Sequence, residues 1–237
     1  MAAAARTSPA LRIDGFTPLS STDYPDALSA IVFCQGCPWR CGYCHNPHLL
    51  PATAGGALAW TDIVAFLERR RGLLDAVVFS GGEPLAQAAL GAAMREAKGL
   101  GFRIGLHTGG AYPERLADVL SLVDWIGFDV KAPFAEYAAV TGAPRSGESA
   151  RRSAQLVVES GVACEFRTTL HPALHTAAAV DRLAEEVCAL GGRHYVLQAF
   201  RSTGCADAAL CADDRPAITA ALRTRLAPRF ATLRVRA

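Results

Sequence analysis

Long hydrophobic runs are missing from this 237-residue chain. Its apolar stretches are short and broken by Gly, Asp or Arg, so none can span a bilayer. Basic tracts are missing too, and the formal net charge is only +2, which argues against a nucleic-acid surface. The first residues, Met1 to Leu11, are alanine-rich, carry Arg6 and Pro9, and lack the unbroken apolar region of a secretory signal. Residues 1–12 are expected to form a disordered N-terminal tail. Without a linker-like stretch or an internal repeat, residues 13–237 are expected to fold as one domain, and 51% hydrophobic composition is enough for a sizeable core. Cysteine is not scarce, but four of the eight are packed between Cys34 and Cys44, which suits a metal site better than secreted disulfides. The expected setting is a reducing, cytoplasmic one.

Short apolar runs alternate with amphipathic stretches along the chain. Ser29–Cys34, Asp75–Phe79, Phe102–His107, Asp124–Val130, Ala163–Leu170 and His194–Phe200 read as strands covered on both faces. Helices are expected between them: from Thr61 to Arg71, Gln87 to Leu100, Pro113 to just before Val123, Glu148 to Ser160, and Thr176 to Leu190. Asp213 or Asp214 is expected to cap a last helix through Pro216, before a terminal strand at Thr232–Val235. This is β-α repeated about six times, which implies an α/β fold of parallel strands with right-handed helical crossovers. A doubly wound sheet and a partly closed barrel both fit. Either would gather functional residues at the carboxyl ends of the strands.

The window Cys37-Pro-Trp-Arg-Cys41-Gly-Tyr-Cys44 is a C-x3-C-x2-C run. Three thiolates so close can hold three corners of a [4Fe–4S] cube and leave the fourth iron open for chemistry. With Cys34 included, a structural zinc site or a closed electron-transfer cluster are rivals, although zinc knuckles are usually further apart. Cys34 ends a predicted strand and is expected to be buried beside the site rather than to ligate. After the strand at 75–79 comes Ser80-Gly81-Gly82-Glu83-Pro84, where the glycines permit close backbone approach and Glu83 can accept from an ammonium. Gly81-Gly82-Glu83-Pro84 also reads as an ordinary strand-to-helix turn. Further strand ends carry His107-Thr108-Gly109-Gly110, then Asp129-Val-Lys131, whose side chains should share a face, then Arg167-Thr168-Thr169 and Gln198. An ion pair and a ligand contact are equally open for Asp129, Lys131 and Arg167. His45 beside the Asn46-Pro47 turn is expected to be exposed, Cys164 and Cys188 to be small core residues, and Trp60 and Trp125 to be packing residues. Cys205 and Cys211, in the loop after the sixth strand, could bind metal or pair with each other.

Cys37, Cys41 and Cys44, with aromatic Tyr43 before the last, resemble the cluster motif of the radical S-adenosylmethionine (SAM) enzymes. Gly81-Gly82-Glu83 resembles that family's SAM-binding motif. The resemblance implies a partial (β/α)6 TIM-like barrel, a [4Fe–4S] cluster ligated by the three cysteines, and SAM chelating the fourth iron. It further implies that Tyr43 packs near the adenine, with SAM contacts from Gly81, Gly82, Glu83, Thr108, Asp129, Lys131 and Arg167. Reductive cleavage would yield a 5′-deoxyadenosyl radical, the cofactor supplying the chemistry and the protein a shaped, dry site.

Phe33 to Pro47, Val78 to Pro84 and Asp129 to Phe134, with Asp23-Tyr-Pro25 and Tyr137–Gly142, resemble the glycyl-radical-activating branch. Within it they look most like the activating proteins of anaerobic (class III) ribonucleoside-triphosphate reductase. Only 35 residues separate Cys44 from Ser80, so the ferredoxin-like insert of some relatives is absent. The resemblance implies that hydrogen is removed from one glycine Cα of that partner, with a low-potential donor such as a flavodoxin supplying the electron. Two alternatives stand beside it: a radical SAM enzyme of the 7-carboxy-7-deazaguanine synthase kind, acting on a small molecule, and a non-enzymatic iron–sulfur or zinc module.

Overall fold

A computed structural model describes residues 10–53, 56–213 and 215–236. Its strands are β1 (Ile13–Ser20), β2 (Ser29–Cys34), β3 (Ala76–Gly81), β4 (Arg103–Thr108), β5 (Trp125–Asp129), β6 (Ala163–Leu170), β7 (His194–Ala199) and β8 (Thr232–Arg236). They form one eight-stranded sheet in chain order, β1 antiparallel to β2 and every later pair parallel. The helices are α1 (Trp60–Glu68), α2 (Leu90–Gly99), α3 (Pro113–Val119), α4 (Tyr137–Thr141), α5 (Ser146–Ser160), α6 (Ala177–Ala189), α7 (Ala208–Cys211) and α8 (Ala220–Leu226). A doubly wound sheet reverses its strand order part-way and places helices on both faces. Here the order never reverses, so right-handed crossovers stack every helix on one face and the sheet curls toward a barrel.

The period-2 geometry of the strands sorts their side chains. Ala30, Val32 and Cys34 of β2, and Val77 and Phe79 of β3, face the helices, where they meet Leu67, Met94, Leu183 and Val187 in one buried cluster. Ile31 and Val78 point the other way and join Tyr24, Ala76 and Trp125 in a smaller cluster. That smaller cluster is the apolar floor of the barrel interior. Above it, Gly127 of β5 leaves space that Arg167 of β6 fills: a Cβ at residue 127 would lie 2.5 Å from the guanidinium carbon.

The predicted strands at 29–34 and 163–170 have the observed bounds, and the others shift by a residue or two. One strand, β1, was not expected. It is an edge strand with Pro18 in it and register shifts between Ile13 and Gly15 and between Thr17 and Ser20, so no clean alternation marks it. The expected tail at 1–12 is also too long at its end. Leu11 is buried, and the Arg12 backbone brackets the Gln87 amide, its N–H donating to Oε1 (2.8 Å) and its carbonyl accepting from Nε2 (2.7 Å). Residues 1–9 lie outside the described residues. Because Gln87 is engaged this way, α2 starts at Leu90 rather than at Gln87, after a 3-10 turn at Pro84–Ala86. Helix α1 starts one residue before Thr61, with Ala59 preceding it and no side-chain cap, and ends at Glu68 instead of Arg71. The last helix begins at Ala220 with Thr219 as its cap, because Asp213 is paired with Arg215 instead; Asp214 lies outside the described residues. Thr176 caps α6 as expected, its hydroxyl accepting from the Ala179 N–H.

Phe166 joins the centre of β6 to the helices, is fully buried and packs against Phe128 at 5.6 Å between centroids. Replacing it with Ala should cost about 3–5 kcal/mol of stability, read from denaturant unfolding of anaerobically prepared protein. A cost under about 1 kcal/mol would mean that this layer of the core is not close-packed.

Candidate active site

β2 runs directly into the cysteine loop, and backbone contacts close that loop on itself. Gly36 N–H donates to Leu49 O (2.7 Å), Cys37 N–H to Leu50 O (3.2 Å) and Cys44 N–H to Cys41 O (3.0 Å). The buried Gln35 amide donates to His48 O (3.1 Å) and Pro51 O (2.8 Å), and Arg40 Nη1 to Cys37 O (2.7 Å). The turn after β3 lies against this loop: Gly82 N–H donates to Cys34 O and Glu83 N–H to Gly36 O, both at 2.9 Å. A Cβ on Gly81, whose φ is +113°, would come 2.4 Å from Cys34 N, and one on Gly82 would come 2.6 Å from Gly36 O. The close approach that the glycines allow is therefore to the cysteine loop itself.

Cys37, Cys41 and Cys44 line a cavity of about 710 Å³ at the carboxyl ends of the strands. Tyr43, Gly81, Gly82, Glu83 and Thr108 also line it, as do Asp129, Lys131 and Arg167, so the structure brings the three cysteines together with the eight residues expected to contact SAM, while Gly110, Thr168, Cys205 and Cys211 stay outside the cavity lining. Cys34 is fully buried and does not line the cavity. All eight cysteines are free thiols. Burial, with Glu83 adding to it, pushes the Cys34 and Cys37 thiols up to about 12, and burial also raises Cys41. Thiolates at Cys37 and Cys41 thus need a cation in contact to form. Among the described residues no three His, Cys, Asp or Glu side chains converge as they would around a single ion. Three sulfur donors along one cavity wall fit a multi-iron cluster with one iron left free of protein ligands.

Beside the cysteines stands a wall of paired charges. Glu83 is buried; the Thr108 hydroxyl donates to it, 2.8 and 2.9 Å from its two oxygens, and the Leu85 and Gly109 N–H groups donate at 3.1 Å. Burial lifts its carboxyl above the usual range, while these hydrogen bonds pull the other way. Asp129 accepts from Arg167 Nε at 2.9 Å and has Lys131 Nζ at 3.9 Å; burial would raise its pKa, but Arg167 and Lys131 outweigh that and hold it low. Arg167 also donates to Gly127 O at 3.2 Å. Burial disfavours the Lys131 ammonium, yet Tyr43, Cys41 and Asp129 outweigh it and hold the pKa well above the lysine norm. Lys131 lies 5.8 Å from the Tyr43 ring centroid and 6.0 Å from that of Trp39. His107 Nε2 donates to Asp23 O at 2.9 Å, and burial followed by Arg167 pushes its imidazole down to about 3, so it is neutral. A small ligand that carries both an ammonium and a carboxylate matches this wall.

Three polar residues in the surroundings differ from, or were absent in, the sequence reading. His45 is not simply exposed: it is half-buried, stacks on Phe200 at 5.5 Å, and its Nε2 is enclosed without a hydrogen-bond partner. His171 and His175, which follow β6, were missed. His175 Nδ1 accepts from His171 N–H (3.1 Å), so its Nε2 donates to Lys131 O (2.8 Å). His171 Nδ1 accepts from Ala173 N–H (3.1 Å), so its Nε2 donates to Leu210 O (3.0 Å). Two histidines four apart at the end of a buried strand were the available signal.

Residues 31–187 match the radical SAM superfamily as a protein family. The chain belongs to the radical SAM superfamily. A Methanocaldococcus jannaschii protein named "Putative glycyl-radical enzyme activating enzyme MJ1227" is 31% identical over 200 residues, 79% of each chain. The pyruvate formate-lyase-activating enzyme of Clostridium pasteurianum is 30% identical over 142 residues, 57% of this chain and 59% of that one. Among solved structures, Streptococcus suis SuiB bound to the precursor peptide SuiA superposes with a TM-score of 0.65 at 12% identity, over 87% of this chain and 48% of SuiB. The chain spans about half of SuiB, and the likeness is one of fold. Radical SAM enzymes use a [4Fe–4S] cluster and SAM, and this chain is such an enzyme, related to the activases of glycyl-radical enzymes. Among the described residues no helix is long and apolar enough to cross a membrane.

Anaerobic reconstitution should separate ligand from neighbour. Cys34→Ala should retain about four irons per chain with matching sulfide, as the parent does, and Cys41→Ala should retain none of the cluster. Loss of iron from Cys34→Ala with stable folding would reverse the assignment of that residue.

Proposed function

We propose that this radical SAM protein removes a hydrogen atom from one glycine Cα of a partner glycyl-radical enzyme, and that the partner is the anaerobic ribonucleoside-triphosphate reductase. The observation that carries the activase reading is the 31% identity to a protein named for that role, extending over 79% of both chains. Asp23-Tyr-Pro25 and Asp129 to Phe134, which look like the reductase-activating group, support the choice of partner. Cys37, Cys41 and Cys44 hold the cluster, and Tyr43 lies against the adenine. Glu83 and Asp129 take the methionyl ammonium, and Lys131 and Arg167 take its carboxylate, with Gly81, Gly82 and Thr108 shaping that end of the site. When bound, the reduced cluster and SAM supply reductive carbon–sulfur cleavage and hydrogen-atom abstraction.

The remaining work belongs to the protein. Arg167 and Lys131 keep Asp129 ionised at neutral pH, and Thr108 keeps Glu83 oriented toward the cysteine loop. His175 fixes the backbone of Lys131 from behind. The cavity opens at the carboxyl ends of the strands, where a glycine-bearing loop of the partner enters, and a flavodoxin-class donor delivers the electron.

The test is electron paramagnetic resonance on reconstituted protein mixed anaerobically with SAM, a low-potential reductant and the reductase. A glycyl-radical doublet should appear on the reductase and be absent with Cys41→Ala. SAM cleavage with no radical on the reductase would contradict the assignment of this partner.

A further inference from the structure

The segment between β7 and α8 crosses the outer side of the cysteine loop. Gly204, at φ +87°, is packed so closely there that a Cβ would come 2.3 Å from His45 O. Leu210 lies 3.5 Å from where a Cβ on Gly42 would be, and His171 anchors the segment through Leu210 O at 3.0 Å. Cys205 donates through its thiol to Gly42 O at 3.4 Å, which joins the segment to the peptide between Cys41 and Tyr43. Cys211 Sγ lies 3.7 Å from Cys205 O and 3.7 Å from Ser202 O, which sets its side chain against the backbone of Cys205.

Local turns hold both cysteine backbones in this relation. Cys205 N–H donates to Ser202 O (3.0 Å) and Cys211 N–H to Asp207 O (3.0 Å). The Asp207 carboxylate caps α7, accepting from the Ala209 (2.9 Å) and Leu210 (3.1 Å) N–H groups. Both thiols are half-buried among exposed neighbours, so a small reagent reaches them, and neither lines the cavity. No third His, Cys, Asp or Glu among the described residues joins them in a set that would hold a metal ion.

We propose that Cys205 and Cys211 form a redox-active dithiol that closes to a disulfide in exchange with a small disulfide of the oxidised-glutathione class. One thiolate attacks the incoming disulfide, forms a mixed disulfide and releases one thiol. The second thiolate then displaces the other half, so a protein disulfide forms, two small thiols leave and two electrons pass to the oxidant. Closure removes the Cys205 S–H, and with it the hydrogen bond to Gly42 O. The state of the pair is thereby felt at the loop that carries Cys41 and Cys44. This inference goes beyond the proposed partner and does not depend on it.

The experiment treats anaerobically reconstituted holoprotein with oxidised glutathione, alkylates the remaining thiols and maps them by mass spectrometry. Cys205 and Cys211 should lose alkylation together, appear as one linked peptide lighter by two hydrogens, and regain alkylation after dithiothreitol. Cys211→Ser should instead stop at a glutathione adduct on Cys205, with iron content equal to that of the parent. Persistent glutathione adducts on the parent protein, or full alkylation of both cysteines after treatment, would overturn the proposal. Iron content and thiol mapping are read without a partner protein, so failure here is distinct from failure of the activase assignment.

Discussion

Two adjacent glycines let the end of β3 lie against the end of β2, and the site is organised around that contact. Gly81 and Gly82 have no room for a Cβ against Cys34 and Gly36, and their turn donates backbone hydrogen bonds into the start of the cysteine loop. One consequence is positional, since Glu83 is carried to the wall beside Cys37, close enough for its charge to bear on that thiol. Another is energetic. A loop of some fifteen residues with three half-exposed thiols has little core of its own, so its shape rests on these contacts, on the Gln35 amide and on the segment covering Gly42 and His45.

The charged wall follows from the barrel's curvature. Asp129 ends β5 and Arg167 stands beside it in register on β6, with Gly127 vacating the space for the guanidinium. A buried guanidinium without a carboxylate would be expensive, and a buried carboxylate without a cation equally so. Together with Lys131 they keep a fixed pattern of opposite charges on one wall of a cavity that the three thiols also line. That pattern is complementary to a zwitterionic ligand and is held by the protein's own contacts, which is the form that electrostatic preorganisation takes. The histidines behind it are supports: His175 holds the backbone under Lys131, and His171 holds the cover over the cysteine loop.

Much of this was legible in the chain because the signals are local. β2 is an almost unbroken apolar run buried on both faces, β6 sets Phe166 and Leu170 among buried polar residues, and the bounds of both matched the structure. The cysteine spacing, Gly-Gly-Glu and Asp-Val-Lys each sit within a few residues, and the parallel topology delivers all of them to one end of the sheet. What the sequence could not supply were partners distant along the chain. Arg167 and Asp129 are 38 residues apart, and nothing local chooses between an ion pair and a ligand contact. β1 lacks alternation because its pairing is bulged, and the Gln87 side chain was claimed by the Arg12 backbone, which displaced the start of α2. The meeting of Cys205 with Gly42 spans 163 positions and appears only in the folded chain.

The central claim is that Cys37, Cys41 and Cys44 hold a cluster whose remaining iron is open to SAM beside the Glu83–Asp129–Lys131–Arg167 wall. The most direct measurement is electron paramagnetic resonance of the anaerobically reconstituted, reduced protein before and after SAM is added. A [4Fe–4S]⁺ signal whose shape changes with SAM is the expected result. A signal indifferent to SAM, or no cluster signal at all, would contradict it.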